Sequence, residues 1–386
     1  MFFNRIIFCL VSMFWVTAQA QEIFLETSFI EAVNQASEEN KHVYVLGITS
    51  WCDECVKLST ETLTDSTIQK ALNEKFISIK VDLEEESGLD IAMKYRANPA
   101  PLHLFFDANG HLVRRGRGYY DSGSFFELIH TAADSLPELE ALPNHLDFTL
   151  DYPEWYRDFL RAPRQRKLPD ADTIEAFLDS RDSITDEVTW AVLYSLPTPE
   201  KYAEVIAANK DILSKRYGKN EVLEKLSSYV YTDVKNAIKD DNEVALHAAL
   251  RKADRLLSTD ADIYKIRYQL YYYQYNNNWI AYAEIGAELA RNPAIADRTW
   301  LNEIATNIYL NTSDYGAVKR ALDWMYPIIN SENAYTYLLT TAQLEYVLGN
   351  TDQTLSLAKE ALISAEEGSD TFEADRLIEL LETDRH

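Results

Sequence analysis

Hydrophobic and polar positions change their period several times between residues 22 and 136. Residues 28–40 are polar with apolar positions at helical spacing, whereas 42–49 (His-Val-Tyr-Val-Leu-Gly-Ile-Thr) form the apolar run of a buried strand. The pattern then predicts a helix opening near Cys52, a helix over 66–75, a strand over 77–82 and a helix over 89–96. A strand over 102–107, a turn at 108–110, a strand over 112–117 and a closing helix over 122–135 complete it. Asn109-Gly110 between two strand-like runs predicts a hairpin. Helix–strand alternation ending in a hairpin and a helix predicts a mixed sheet covered on both faces. His103 is read as alternating outward on its strand, without a role.

Five of the eleven prolines, Pro137, Pro143, Pro153, Pro163 and Pro169, crowd the next stretch, where long helices and central strands are disfavoured. Residues 137–171 are therefore read as a connector between a domain over 21–136 and an all-helical region over 172–386. In the last third, turn signals at Asn276-Asn277-Asn278, Asn311-Thr312-Ser313-Asp314 and Gly349-Asn350 recur about every 35–38 residues between amphipathic stretches. That rhythm predicts stacked helical hairpins. Residues 333–365 loosely resemble a tetratricopeptide repeat, with Ala342 in the first helix, Gly349-Asn350 at the turn and Ala361-Leu362 in the second. Thr341 and Glu345 depart from it, standing where that family carries large apolar side chains. Tyr264, Tyr268, Tyr271, Tyr272 and Tyr275 recur at helical spacing and are read as inter-helix packing.

At the N-terminus, Arg5, an apolar run over 6–16 and small residues at Ala18 and Ala20 read as a secretory signal peptide over 1–20. Cleavage before Gln21 removes Arg5 and no acid, taking the formal charge from −25 to −26. So acidic a chain repels phosphate backbones and anionic lipid surfaces, which argues against nucleic acid as a partner. No later segment is apolar for long enough to insert in a membrane. Export to the periplasm is expected, with release outside the cell as the open alternative. Charge runs such as Glu84-Glu85-Glu86 are read as solvated surface.

Of the three cysteines only Cys52 and Cys55 lie beyond the leader. A disulfide across so short a loop removes little unfolded-state entropy, so the pair points to chemistry. Cys52 follows a strand and opens a helix, where it is expected to be accessible and where unpaired N–H groups and the helix dipole favour a thiolate. Cys55 lies nearly one turn on, within reach of a disulfide. The cycle this predicts has thiolate Cys52 attack a partner disulfide, and Cys55 then resolve the mixed disulfide, leaving the partner reduced and the pair oxidised. An inert structural disulfide and half of a metal site are the competing readings. The seven histidines provide no second ligand pair at metal spacing, so neither a metal nor any cofactor beyond the disulfide is expected.

Asn40-Lys41-His42-Val43 leading into Trp51-Cys52-Asp53-Glu54-Cys55, then Val81-Asp82, Lys94-Tyr95, Pro101, Phe106-Asp107 with Gly110, and Gly118-Tyr119, resembles the thioredoxin superfamily. More narrowly it is similar to the thioredoxin-like group that includes the C-terminal periplasmic domain of the disulfide-reducing membrane protein DsbD. The resemblance covers about residues 22–136 and implies an α/β thioredoxin fold followed by the helical-hairpin, tetratricopeptide-like region. It also implies a substrate groove in which Pro101 is a cis-proline beside the disulfide, the Ala100 backbone pairs with a bound peptide, and Trp51 and Gly118 lie at the rim. Pro99 competes with Pro101, which is preferred because the strand starts right after it.

Two features depart from that family. Leu46 stands where many thioredoxins keep a buried acid that moves the proton of the second thiol. Asp53 and Glu54 between the cysteines disfavour a thiolate and argue against a strong oxidant of the DsbA type. The sequence thus reads as an exported thiol–disulfide oxidoreductase, a reductant or isomerase. Its partners are protein thiols and disulfides and an upstream electron donor, with the helical region holding a protein partner. The alternative is a redox-inert scaffold whose helical repeats carry the function.

Overall fold

The computed structural model describes residues 23–96, 100–134, 145–161, 167–366 and 370–383. Residues 1–20, read above as a leader, Pro99, and Pro137, Pro143 and Pro163 lie outside the described residues. Helix α1 (Phe29–Glu39) begins at Ser28, whose hydroxyl accepts the Glu31 N–H while the Glu31 carboxylate accepts the Ser28 N–H, and ends at Asn40 in the left-handed region (φ 51°). Then come β1 (His42–Ile48), α2 (Asp53–Lys57) with a π-helical continuation over Leu58–Thr62, and α3 (Ser66–Lys75). They are followed by β2 (Phe76–Asp82), α4 (Glu86–Lys94), β3 (Leu102–Phe106), β4 (Leu112–Arg117) and α5 (Ser122–Asp134).

The four strands form one sheet in the order β2-β1-β3-β4, with β1 and β2 parallel and the other two pairs antiparallel. Leu25 adds a parallel bridge to Ile79. Side-chain alternation in β1 sorts the core into two layers. Val43 and Val45 join Ile79, Leu104, Phe106 and α1 on one face, whereas Tyr44 and Leu46 join Phe105, Leu72 and Phe125 on the other. Both faces are therefore buried, which corrects the reading of His103. A strand in the middle of a doubly covered sheet has no outward face, and all five residues of β3, His103 included, are buried. The hairpin turn runs over 107–111, where the Asp107 carboxylate accepts the N–H groups of Asn109 and His111 and Gly110 takes φ 82°.

The chain continues through α6 (Glu154–Arg161), α7 (Ala171–Asp179), α8 (Glu187–Ser195), α9 (Lys201–Ala208), α10 (Lys210–Tyr217) and α11 (Lys219–Lys239). It closes with α12 (Glu243–Leu257), α13 (Ala261–Tyr275), α14 (Trp279–Ala290), α15 (Arg298–Asn311), α16 (Tyr315–Ser331), α17 (Tyr335–Val347), α18 (Thr351–Ser364) and α19 (Phe372–Thr383). Two compact units emerge: residues 1–199 with 209–222, and 200–208 with 223–386. The division does not fall in the proline-rich stretch, and α6, α7, α8 and α10 belong with the sheet. Buried charge is one reason. Lys94 and Arg96, at the end of α4, are 1% and 4% exposed, and their carboxylate partners are Glu187 on α8 (2.9 Å) and Glu221 (2.7 Å).

In the second unit, helices α13 to α18 pair across short turns at the expected polar residues. Asn278 and Asp314 cap α14 and α16 by accepting the N–H groups of Ala281 and Ala317, and Gly349 takes φ 74° before α18. This succession fits a tetratricopeptide-like region. The two departures from the repeat pattern are buried polar positions: the Thr341 hydroxyl donates to Tyr337 O, and the Glu345 carboxylate accepts from the Tyr326 hydroxyl and the Asn350 amide. The tyrosine stripe of α13 splits between two environments. Tyr268 and Tyr272 are buried and donate to Ser227 O and Asp241, whereas Tyr271 and Tyr275 stack on each other at the surface. No helix among the described residues is long and apolar enough to cross a membrane.

Candidate functional site

Strand β1 delivers the chain at Thr49, and two turn residues later Cys52 becomes the N-cap of α2. Cys52 and Cys55 are joined by a disulfide, with their Cα atoms 5.2 Å apart. The Cys55 N–H, shared with Cys52 O at 3.1 Å, donates to Cys52 Sγ at 3.0 Å, so one backbone donor of the first turn faces this sulfur. Only 7% of Cys52 and 5% of Cys55 is exposed, so Cys52 is less accessible in the disulfide form than its place at a helix start led us to expect.

The neighbours of the pair are held by carboxylates. Trp51 Nε1 donates to Glu84 Oε1 at 3.1 Å, and the Ser50 hydroxyl donates to Glu84 Oε2 at 3.1 Å. The Glu84 N–H in turn donates to Asp82, at the end of β2. Glu84 came out of a charge run read as solvated surface, and that reading is corrected here. Sequence spacing carries no sign of it, since the contact spans 33 positions. On the other side, Glu54 Oε2 accepts the Tyr119 N–H at 3.2 Å, Lys57 lies 4.2 Å above the Tyr119 ring, and the Tyr119 hydroxyl donates to Glu61.

The Ala100–Pro101 peptide bond is cis. Pro101 is buried, Ala100 is half-buried, and Pro101 O accepts the Gly118 N–H at 2.9 Å. Gly118 has φ 80°, a conformation that suits glycine, and a Cβ built there would lie 3.5 Å from Glu54 Oε2. The segments around the disulfide, Pro101 and Gly118 are thus linked through Glu54 and backbone hydrogen bonds. Behind Gly118 is His103, whose Nε2 meets Gly118 O at 3.1 Å and whose Nδ1 meets the Tyr44 hydroxyl at 2.8 Å. Burial pushes the His103 imidazole down to about 4, against the opposing pull of the Gly118 carbonyl. It is neutral at pH 7.

A family profile described as a thioredoxin-like domain matches residues 29–133. This segment is a thioredoxin-like domain. It is similar to a thioredoxin from Thermus thermophilus, at 22% identity over 28% of this chain and 85% of that one, with a TM-score of 0.27. It is also similar to a candidate disulphide-isomerase from Bacteroides thetaiotaomicron, at 31% identity over 29% of this chain and 93% of that one, with a TM-score of 0.28. No match is found among curated proteins. Within the thioredoxin-like domain Leu46 is fully buried and lies opposite Lys80 and His103 across the sheet, so its position supplies no titratable group.

Proposed function

We propose that the protein is an exported thiol–disulfide oxidoreductase that works without a cofactor other than its own disulfide, with the helical second unit holding a protein partner. The observation that carries this reading is the Cys52–Cys55 disulfide at the start of α2, with Cys52 Sγ already accepting a backbone N–H. In the reduced protein that donor favours a thiolate at Cys52. The thiolate attacks one sulfur of a client disulfide, and the client's other sulfur leaves as a thiolate. Cys55 then attacks Cys52 Sγ in the mixed disulfide, which releases the second client thiol and restores the internal disulfide. Two electrons pass to the client, and an upstream dithiol donor of the same chemical class resupplies them.

The groove for an extended client is assigned to Trp51, Ala100, Pro101 and Gly118. Direction is assigned from charge: Asp53 and Glu54 occupy the first turn of α2, where they oppose a thiolate at Cys52. This supports a reductant or isomerase over a strong oxidant. The test is turbidimetric insulin reduction with a supplied dithiol. Wild type is expected to be active, Cys52→Ser inactive, and Cys55→Ser to accumulate the mixed disulfide. Equal, negligible turnover by wild type and Cys52→Ser overturns the proposal in favour of a redox-inert scaffold. A reduction potential near about −270 mV fits a reductant, and one near about −120 mV overturns the assignment of direction.

A further inference from the structure

Helices α14, α15 and α16 line an open cleft of about 450 Å³, within the size range of small-molecule sites. Its floor is apolar: Leu301, Trp324 and Ile328, each at most 6% exposed. The Trp324 indole N–H donates to Leu301 O at 3.2 Å, so the one polar group of the ring is already satisfied. Gly286 lets the ring lodge there, since a Cβ at that position would lie 2.8 Å from it. Ala287 and Ala290 line the α14 side without filling it.

The charges at the rim balance, with Arg291, Arg298 and Arg320 set against Asp323 and the adjoining Glu284 and Glu332. Arg298 is paired with Glu332, and Arg320 with Glu284 and Asp323. The Arg291 side chain is exposed and makes no ion pair or hydrogen bond with another described residue. An apolar floor beside an unpaired guanidinium matches a ligand with an apolar body and one anionic end.

We infer that this cleft binds a free organic acid, with its hydrocarbon chain on Trp324 and Leu301 and its carboxylate at Arg291. The limited volume favours a small acid over the end of a polypeptide. The site is independent of the redox chemistry proposed above.

The experiment is isothermal titration of the full chain with octanoate, 1-octanol, octylammonium and an acetylated tripeptide ending in a free leucine carboxylate. Octanoate is expected to bind at least about tenfold more tightly than octanol, about 1.4 kcal/mol, and octylammonium not at all. Arg291→Gln, at an exposed position, is expected to erase that preference. Ala290→Trp, which fills the cleft, is expected to abolish octanoate binding, with circular dichroism confirming that both variants are folded. The inference is overturned by equal binding of octanoate and octanol, by absence of octanoate binding, by octanoate binding that survives Ala290→Trp, or by tighter binding of the tripeptide.

Discussion

At the scale of single residues, His103 is the most informative position. Its ring is fully buried between the Tyr44 hydroxyl and the Gly118 carbonyl, and it titrates at about 4 in the fold against about 6.5 in an unfolded chain. Between those values the unfolded state takes up a proton that the native state refuses, so stability falls as pH falls through this window. The loss begins near pH 6.5, levels off below about 4 where both states are protonated, and amounts to about 3 kcal/mol in all. Urea midpoints from pH 7 to 4 are expected to decline less steeply in His103→Gln than in wild type. A parallel decline in both would show that His103 does not carry the effect. Sequence periodicity alone could not place this residue, because alternation marks the two faces of a strand without saying which of them meets water. Cys52 and Cys55 were legible for the converse reason: their spacing and their place after a strand depend only on local chain geometry.

At the scale of elements, the sequence was most readable where turn chemistry and periodicity coincide. The Ser28 cap, the left-handed Asn40, the Asn109-Gly110 hairpin and the polar turns of the repeats all fall where residue type dictates backbone shape. Close approach of helices was not readable. Gly286 sits in the middle of α14, where glycine costs about 1 kcal/mol relative to alanine, so propensity alone favours substituting it. The structure reverses that expectation, because an alanine Cβ would lie 2.8 Å from the Trp324 ring and 3.0 Å from Ile304. Trp324 is 4% exposed and tethered to Leu301 O, so neither ring nor helix can yield freely. Gly286→Ala is expected to destabilise the protein by about 1–3 kcal/mol through overpacking. A raised thermal midpoint in that variant would mean that α14 and α16 separate at little cost.

For the molecule as a whole, what escaped the sequence is which helices accompany the sheet. Lys94, Arg96, Arg115 and Arg117 gather around Glu187 and Glu221, which lie 93 to 125 positions away from the α4 cations. Nothing in local pattern announces such pairing, and a proline-rich stretch between them suggested a boundary instead. Arg96 also lies 5.0 Å over the Tyr217 ring, while burial, together with the nearby guanidiniums of Arg96 and Arg117, pushes Arg115 below its usual range. Replacing Glu221 by Gln strands buried cations and is expected to cost about 3–5 kcal/mol, a large part of the stability of an ordinary domain. Chemical unfolding of Glu221→Gln followed by far-ultraviolet circular dichroism checks this, and an unchanged midpoint would show the cluster to be energetically idle. The low exposure of Cys52 and Cys55, 7% and 5%, has a consequence of its own. A rigid, convex protein surface brings a disulfide up to so little-exposed a pair less readily than a slack, unstructured segment does. Selection among clients would then follow their pliability, so the same cystine is expected to be reduced faster in a denatured polypeptide than in its folded parent.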